Sequence, residues 1–263
     1  MKTFSKYLEE TIGQAGLDYE LKVHKAMQAA KIPGLNAGDK PGAGFSNVGA
    51  GDIEASYKGK PFNIEIKATA NDQMGGGSFR YDMATGLFTP AKEMDPEDLE
   101  LLLSAAKEKV ADINNYIKAA RKIEPKEYHK NISGIPLKIS VDGRAKLKDD
   151  GLLAKINKNV KTSTKFIIRH YNKKGVYYIN VGGAGLFYMG KNPLNLDVPE
   201  LTGEIQVEMR LGFGGGKLKF PTTPEPTSAR SAGLRLQGRL KTKGKSKYSL
   251  DNADDIKKLF GGK

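Results

Sequence analysis

Between Asp52 and Lys67 polar and apolar residues alternate with a period of two, interrupted only at Lys58-Gly59-Lys60-Pro61. That period belongs to extended strands with two unlike faces, so the segment reads as a β-hairpin. Pro61 has no amide donor, which favours a four-residue loop closed by Tyr57 and Phe62. This register sets Ser56 opposite Asn63, Glu54 opposite Glu65 and Asp52 opposite Lys67. One face then carries Asp52, Glu54, Ser56, Asn63, Glu65 and Lys67. The other carries Ile53, Ala55, Tyr57, Phe62, Ile64 and Ile66. The polar face has two readings. It is either a solvated surface or a place where something compensates two glutamates set against each other, because like charges directly opposite destabilise a strand pair. A bound divalent cation, with Lys67 beside it, would turn that repulsion into coordination.

The surrounding pattern is mixed α/β. Leu17 to Ala30 reads as a helix with Val23, Met27 and Ala30 on one face, ended by Pro33-Gly34. A glycine-rich loop, residues 34–51, leads into the hairpin. Gly75-Gly76-Gly77 reads as a turn before a strand from Ser78 to Thr89. Pro96 to Ile123 reads as one amphipathic helix, capped by Asp95 and started by Pro96, with Glu97 and Asp98 at the positive end of its dipole. Lys165 to Tyr171 and Val176 to Val181 read as strands joined by a turn at Asn172 to Gly175. Glu204 to Leu211 alternates cleanly, and Gly233 to Leu240 reads as a further strand.

Composition narrows the chemistry. A chain of 263 residues with 38% hydrophobic residues has enough apolar material for a core. The absence of cysteine excludes disulfides and thiolate metal sites. His24, His129 and His170 are scattered too widely for a histidine-based zinc site. A bound metal would therefore be held by carboxylates, which favours Mg²⁺, with Mn²⁺ as a substitute. A formal net charge of +13 points to a polyanionic partner. No apolar run approaches the ~18 residues of a membrane span. Met1 to Glu10 carry no signal-peptide core, so a cytoplasmic protein with no membrane partner is expected.

The order Asp52, then Glu65-Ile66-Lys67 on the following strand, resembles the PD-(D/E)xK nuclease superfamily. The likeness covers residues 16–82, and Glu20 in GLDYELKVHKAM matches the glutamate that many members carry on a helix before the first motif residue. Glu20 also fits an ordinary solvent-facing helix position. Gly51 stands where the motif has its proline. Gln73 is followed by Met74 and three glycines, unlike the glutamine-bearing helix of some members. The resemblance implies a restriction-endonuclease-like mixed β-sheet core flanked by helices, here with an additional β-rich C-terminal part. It also implies phosphodiester hydrolysis, with Asp52, Glu65 and Glu20 as metal ligands, the Ile66 carbonyl assisting, and Lys67 orienting the attacking water and stabilising the transition state.

The charge is concentrated. From Lys217 to Lys247 there are nine basic residues and one acid, Glu225. Arg235, Arg239, Lys241 and Lys243 are the candidates for contacts with a phosphate backbone; a solvated surface is the plain alternative. The expected organisation is a nuclease core over residues 1–216 and a basic segment over 217–263. Gly212 to Lys217 (GFGGGK) lacks the Ser or Thr and the glycine spacing of a phosphate loop, and GVYYI at 175–179 lacks the second half of a GIY-YIG motif. The expected activity is that of a Mg²⁺-dependent DNA endonuclease. A non-catalytic nucleic-acid-binding protein with a basic surface, or an assembly protein, is the rival; RNA as partner and a homodimer stay open.

Overall fold

The computed structural model describes residues 4–38, 51–82, 87–90, 93–123, 146–212, 233–242 and 244–261. In chain order the elements are α1 (Phe4–Ala29), β1 (Leu35–Asn36), β2 (Ile53–Tyr57), β3 (Lys60–Lys67), β4 (Gln73–Asp82), β5 (Leu87–Pro90), α2 (Pro96–Lys107) and α3 (Val110–Ile123). They continue with α4 (Leu152–Ile156), β6 (Lys158–Ser163), α5 (Lys165–Asn172), β7 (Val176–Val181), β8 (Gly185–Tyr188), β9 (Gly203–Gly212), β10 (Gly233–Thr242) and α6 (Ala253–Phe260). The class is mixed α/β, as the alternating patterns predict. Among the described residues no helix is long and apolar enough to cross a membrane.

The chain divides into two interleaved compact units, Met1–Met74 with Thr162–Ile205 and Arg239–Lys263, and Gly75–Lys161 with Gln206–Gly238. The chain from Arg239 onward belongs to the first unit.

The first unit is built on a mixed five-stranded sheet, β1-β2-β3-β7-β8. Neighbours are antiparallel except β3 and β7, which are parallel. Strand β7 is buried at five of six positions, as expected for a central strand with a parallel neighbour. Helices α1 and α6 cover the face of Ile53, Ala55, Phe62, Ile64 and Ile66. Val23, Met27 and Ala30 enter that core from α1, and Ile256 and Phe260 from α6. Phe260 stacks on Phe62 and meets Tyr57 edge-on.

The hairpin forms with the faces anticipated but in another register. Tyr57 pairs with Lys60, Ala55 with Phe62, and Glu54 with Asn63. The loop is two residues, Lys58-Gly59, both at positive φ (48° and 77°), the conformation whose twist matches that of the strands. In such a hairpin Tyr57 and Lys60 form the hydrogen-bonded closing pair. Pro61 then falls in a non-hydrogen-bonded pair with Ser56, where its missing amide costs nothing. The slip is two residues, so no side chain changes face. Glu54 is exposed beside Asn63 and does not oppose Glu65.

Three other expectations are corrected. Lys165 to Tyr171 is the helix α5, with Phe166, Ile167 and Tyr171 buried on one side. The apolar positions i, i+1 and i+5 suit one helix face as well as a strand. Gly75 to Gly77 lie within β4 instead of forming a turn. The long amphipathic segment is two helices, broken at Glu108-Lys109. Its start is as expected: Asp95 accepts from the Glu97 amide and Pro96 opens the first turn.

In the second unit α2 packs on β5 and α3 on α4. Glu108 pairs with Lys158, and Lys109 donates to the Lys155 carbonyl at 2.6 Å, so the break between α2 and α3 is held from outside. A second five-stranded sheet, in the order β5-β4-β10-β9-β6, draws most of its strands from this unit.

Candidate active centre

The site grows from the place where β2 stops and β3 continues. Asp52 directly precedes β2 and so makes no ladder pair. Its Oδ2 instead accepts the Ile66 amide of β3 at 2.7 Å, filling the position that a longer β2 would occupy. Gly51 is required just before it. A Cβ there would lie 2.7 Å from the Ile64 carbonyl oxygen and 3.0 Å from its amide nitrogen, so the backbone could not come this close.

Glu65 and Lys67 are two apart on β3 and share a face with Asp52. Their strand is paired with β7, Glu65 beside Ile179 and Lys67 beside Val181. The face is not solvated: Glu65 is only 7% exposed. Lys67 Nζ lies 2.6 Å from Glu65 Oε1 and 3.9 Å from Asp52 Oδ2. Burial works against the Lys67 cation, but the carboxylates of Glu65 and Asp52 outweigh it and hold its pKa above the ordinary lysine value.

A fourth group joins them from α5. The Tyr171 hydroxyl donates to Glu65 Oε1 at 2.7 Å. Lys174, in the turn after α5, lies over the Tyr171 ring, 5.1 Å from its centroid, and its charge helps to keep Asp52 ionised. Neither residue is visible as a site residue while the 165–171 segment reads as a strand. The helical reading would have placed Tyr171 with Phe166 and Ile167 on the buried side, facing β7.

Glu20 lies on α1, one turn before Val23 and His24. Its carboxyl is half-buried and its pKa rises to about 7, first through burial and then through the negative charges of Asp52 and Glu65, with Lys67 opposing. Asp52 is pushed up to about 6, by burial first and by Glu65 second. The structure thus brings Asp52, Glu65 and Lys67 together and sets Glu20 within their field.

The carboxylates are anchored on one side only. Glu65 Oε1 takes both Lys67 and Tyr171, while Asp52 Oδ2 takes Ile66. Among the described residues the second oxygens, Glu65 Oε2 and Asp52 Oδ1, accept no hydrogen bond, and neither does the Glu20 carboxyl. Two mutually repelling, half-satisfied carboxylates suit a hard divalent cation. The match extends to this pair and not to a ready three-ligand cage. Among the described residues no three His, Cys, Asp or Glu side chains are grouped to hold one ion.

Compared with protein families, with curated proteins and with solved structures, the chain has no significant match.

The remaining candidates lie elsewhere. Arg235, Arg239 and Lys241 lie on β10; Arg239 is exposed. Lys243 and the Pro221 to Pro226 segment lie outside the described residues. His24 is buried with Nε2 3.0 Å from the Gly38 carbonyl, a satisfied core histidine. His170 lies edge-on to Tyr171, and His129 is outside the described residues. Gly175 to Ile179 is a turn followed by β7.

Proposed function

We propose that this chain is a divalent-cation-dependent nuclease that hydrolyses phosphodiester bonds in DNA on a restriction-endonuclease-like core. The observation that carries the reading is the grouping of Asp52, Glu65 and Lys67 in a mostly buried setting, with each carboxylate tied down through one oxygen and open at the other. A purely structural ion pair needs only Glu65 and Lys67. Asp52 and Glu20 join it in a setting where burial first, and neighbouring carboxylates second, raise both of their pKa values. Such cost to stability is characteristic of sites arranged for chemistry or ligand binding.

Asp52, Glu65 and Glu20 would hold Mg²⁺, with Mn²⁺ as a substitute, and the Ile66 carbonyl would assist. When bound, the ion supplies an acidified water and neutralises charge on the phosphate. Lys67 would orient a water against the scissile phosphorus and stabilise the oxygens that gain charge as it attacks. The Ile66 amide fixes Asp52, and Glu20 holds or releases a proton near neutral pH. The basic residues of β10 and the chain beyond it supply attraction to the phosphate backbone without reading sequence.

The test is incubation of the purified protein with plasmid, linear, single-stranded and branched DNA, and with RNA, in Mg²⁺, Ca²⁺ or EDTA. Cleavage in Mg²⁺ is expected, binding with little turnover in Ca²⁺, and no cleavage in EDTA. Asp52→Asn and Glu65→Gln should each abolish cleavage and retain DNA binding. Cleavage by either variant at the wild-type rate, or full activity in EDTA, would overturn the assignment.

A further inference from the structure

Building on the nuclease reading, we infer that Tyr171 is a positioning residue of this site, acting through Glu65. Its hydroxyl donates to Glu65 Oε1 at 2.7 Å, and Lys67 Nζ meets the same oxygen at 2.6 Å. Two donors on one oxygen fix the carboxylate plane and leave Oε2 as the oxygen that faces a ligand. Such partners of a ligating group orient it and set how strongly it binds.

The fold makes this arrangement rigid. Tyr171 is 3% exposed and lies at the end of α5, whose Phe166 and Ile167 are buried with it. Gly175, at φ 72°, turns the chain from α5 into β7. Strand β7 then pairs in parallel with β3, bringing Ile179 beside Glu65. Helix, turn and strand therefore deliver the hydroxyl to the same strand that carries its acceptor. Lys174 lies over the ring of the tyrosine.

A buried tyrosine needs some acceptor for its hydroxyl, so the bond alone is also compatible with packing. Tyr178 provides the comparison. It is fully buried in the same unit, donates to Asn192 Oδ1 at 2.7 Å and accepts the Leu194 amide. It touches none of the four site residues through those bonds. A merely structural role for Tyr171 would make the two tyrosines behave alike.

The test uses the full chain and Mn²⁺, with affinity measured by calorimetry and steady-state cleavage of DNA in parallel. Tyr171→Phe keeps the ring and removes the hydroxyl. Its Mn²⁺ affinity and kcat should each fall by about 10-fold or more, with KM for DNA within about twofold of wild type and raised Mn²⁺ restoring part of the rate. In the Glu65→Gln background the same change should have no further effect on Mn²⁺ affinity, since the group it orients has lost its charge. Tyr178→Phe should lower the melting temperature and leave Mn²⁺ affinity unchanged. Should Tyr171→Phe bind Mn²⁺ and turn over like wild type, or should both tyrosine variants lose affinity alike, the positioning role is overturned and the nuclease reading stands. If the wild-type chain neither binds Mn²⁺ nor cleaves DNA, the nuclease reading falls and this inference with it.

Discussion

Lys67 is surrounded by acids and yet shares its closest oxygen with a tyrosine, and that geometry sets what each residue change should do. Lys67→Ala removes the partner of a buried carboxylate, which costs about 3–5 kcal/mol in comparable pairs. Urea denaturation without metal should show that loss, and cleavage should fall by roughly 100-fold or more. Mn²⁺ affinity should hold or improve, because a cation has left the site; a parallel fall in affinity would argue that Lys67 only scaffolds Glu65. The acids give a pH signature. With Glu20 at about 7 and Asp52 at about 6, the folded state holds these protons more tightly than the unfolded chain. The stability this contributes is full below the ordinary carboxylate range and is lost as pH rises through 6 to 7. The metal-free melting temperature should therefore fall between about pH 5 and pH 8, with a smaller fall in Asp52→Asn. Mn²⁺ affinity should rise over the same range as the ligands lose protons. A flat melting temperature in the wild type would contradict the crowding of these carboxyls. That Asp52, Glu65 and Lys67 share a face was legible from alternation alone, whereas Glu20 was singled out only through the family resemblance. Tyr171 was not legible, because its partner is 106 residues away and no local pattern encodes a contact of that range.

Elements were legible where one face decides everything and illegible where tertiary contacts decide. The clean alternation of Ile205, Val207 and Met209 gives β9 directly, and all three are buried. The break between α2 and α3 contains neither glycine nor proline, and the apolar stripe runs through it from Leu102 to Ile113. Its anchors are Lys158 and the Lys155 carbonyl, far along the chain. The hairpin register failed for a narrower reason. Avoiding Pro61 next to the turn is sound only if that position must donate, and the two-residue loop removes the requirement. It does so by placing Lys58 at φ 48°, a conformation that is costly for a lysine and ordinary for asparagine. Lys58→Asn should accordingly stabilise the protein by about 0.5–1 kcal/mol, read as a higher urea midpoint with unchanged slope. A lower midpoint would speak against the two-residue turn and for the wider loop.

On the scale of the whole molecule the +13 charge and its crowding after Lys217 were plain, while the division into units was not. Residues from Arg239 on complete the first unit instead of forming a separate arm, since Leu250, Ile256 and Phe260 belong to its core. The basic residues before them carry the proposed contacts with a phosphate backbone. Replacing Arg235, Arg239, Lys241 and Lys243 together by neutral residues should weaken DNA binding and flatten its salt dependence by about one unit of slope per lost phosphate contact. An unchanged slope in fluorescence titrations would place the backbone contacts elsewhere. Truncation after Gly244 should be far more severe. Three large apolar side chains at roughly 1.5–3 kcal/mol each approach the total stability of an ordinary domain, so loss of the cooperative thermal transition is expected. The hydrogen bond from Tyr57 to the Phe260 carbonyl spans 203 residues, and on a ribosome adding about 5–20 residues per second its two ends emerge roughly 10–40 s apart. For that interval the hairpin has left the exit tunnel without the helix that covers Phe62. Whatever binds nascent chains in the cell meets the part of its apolar side that Phe260 later covers.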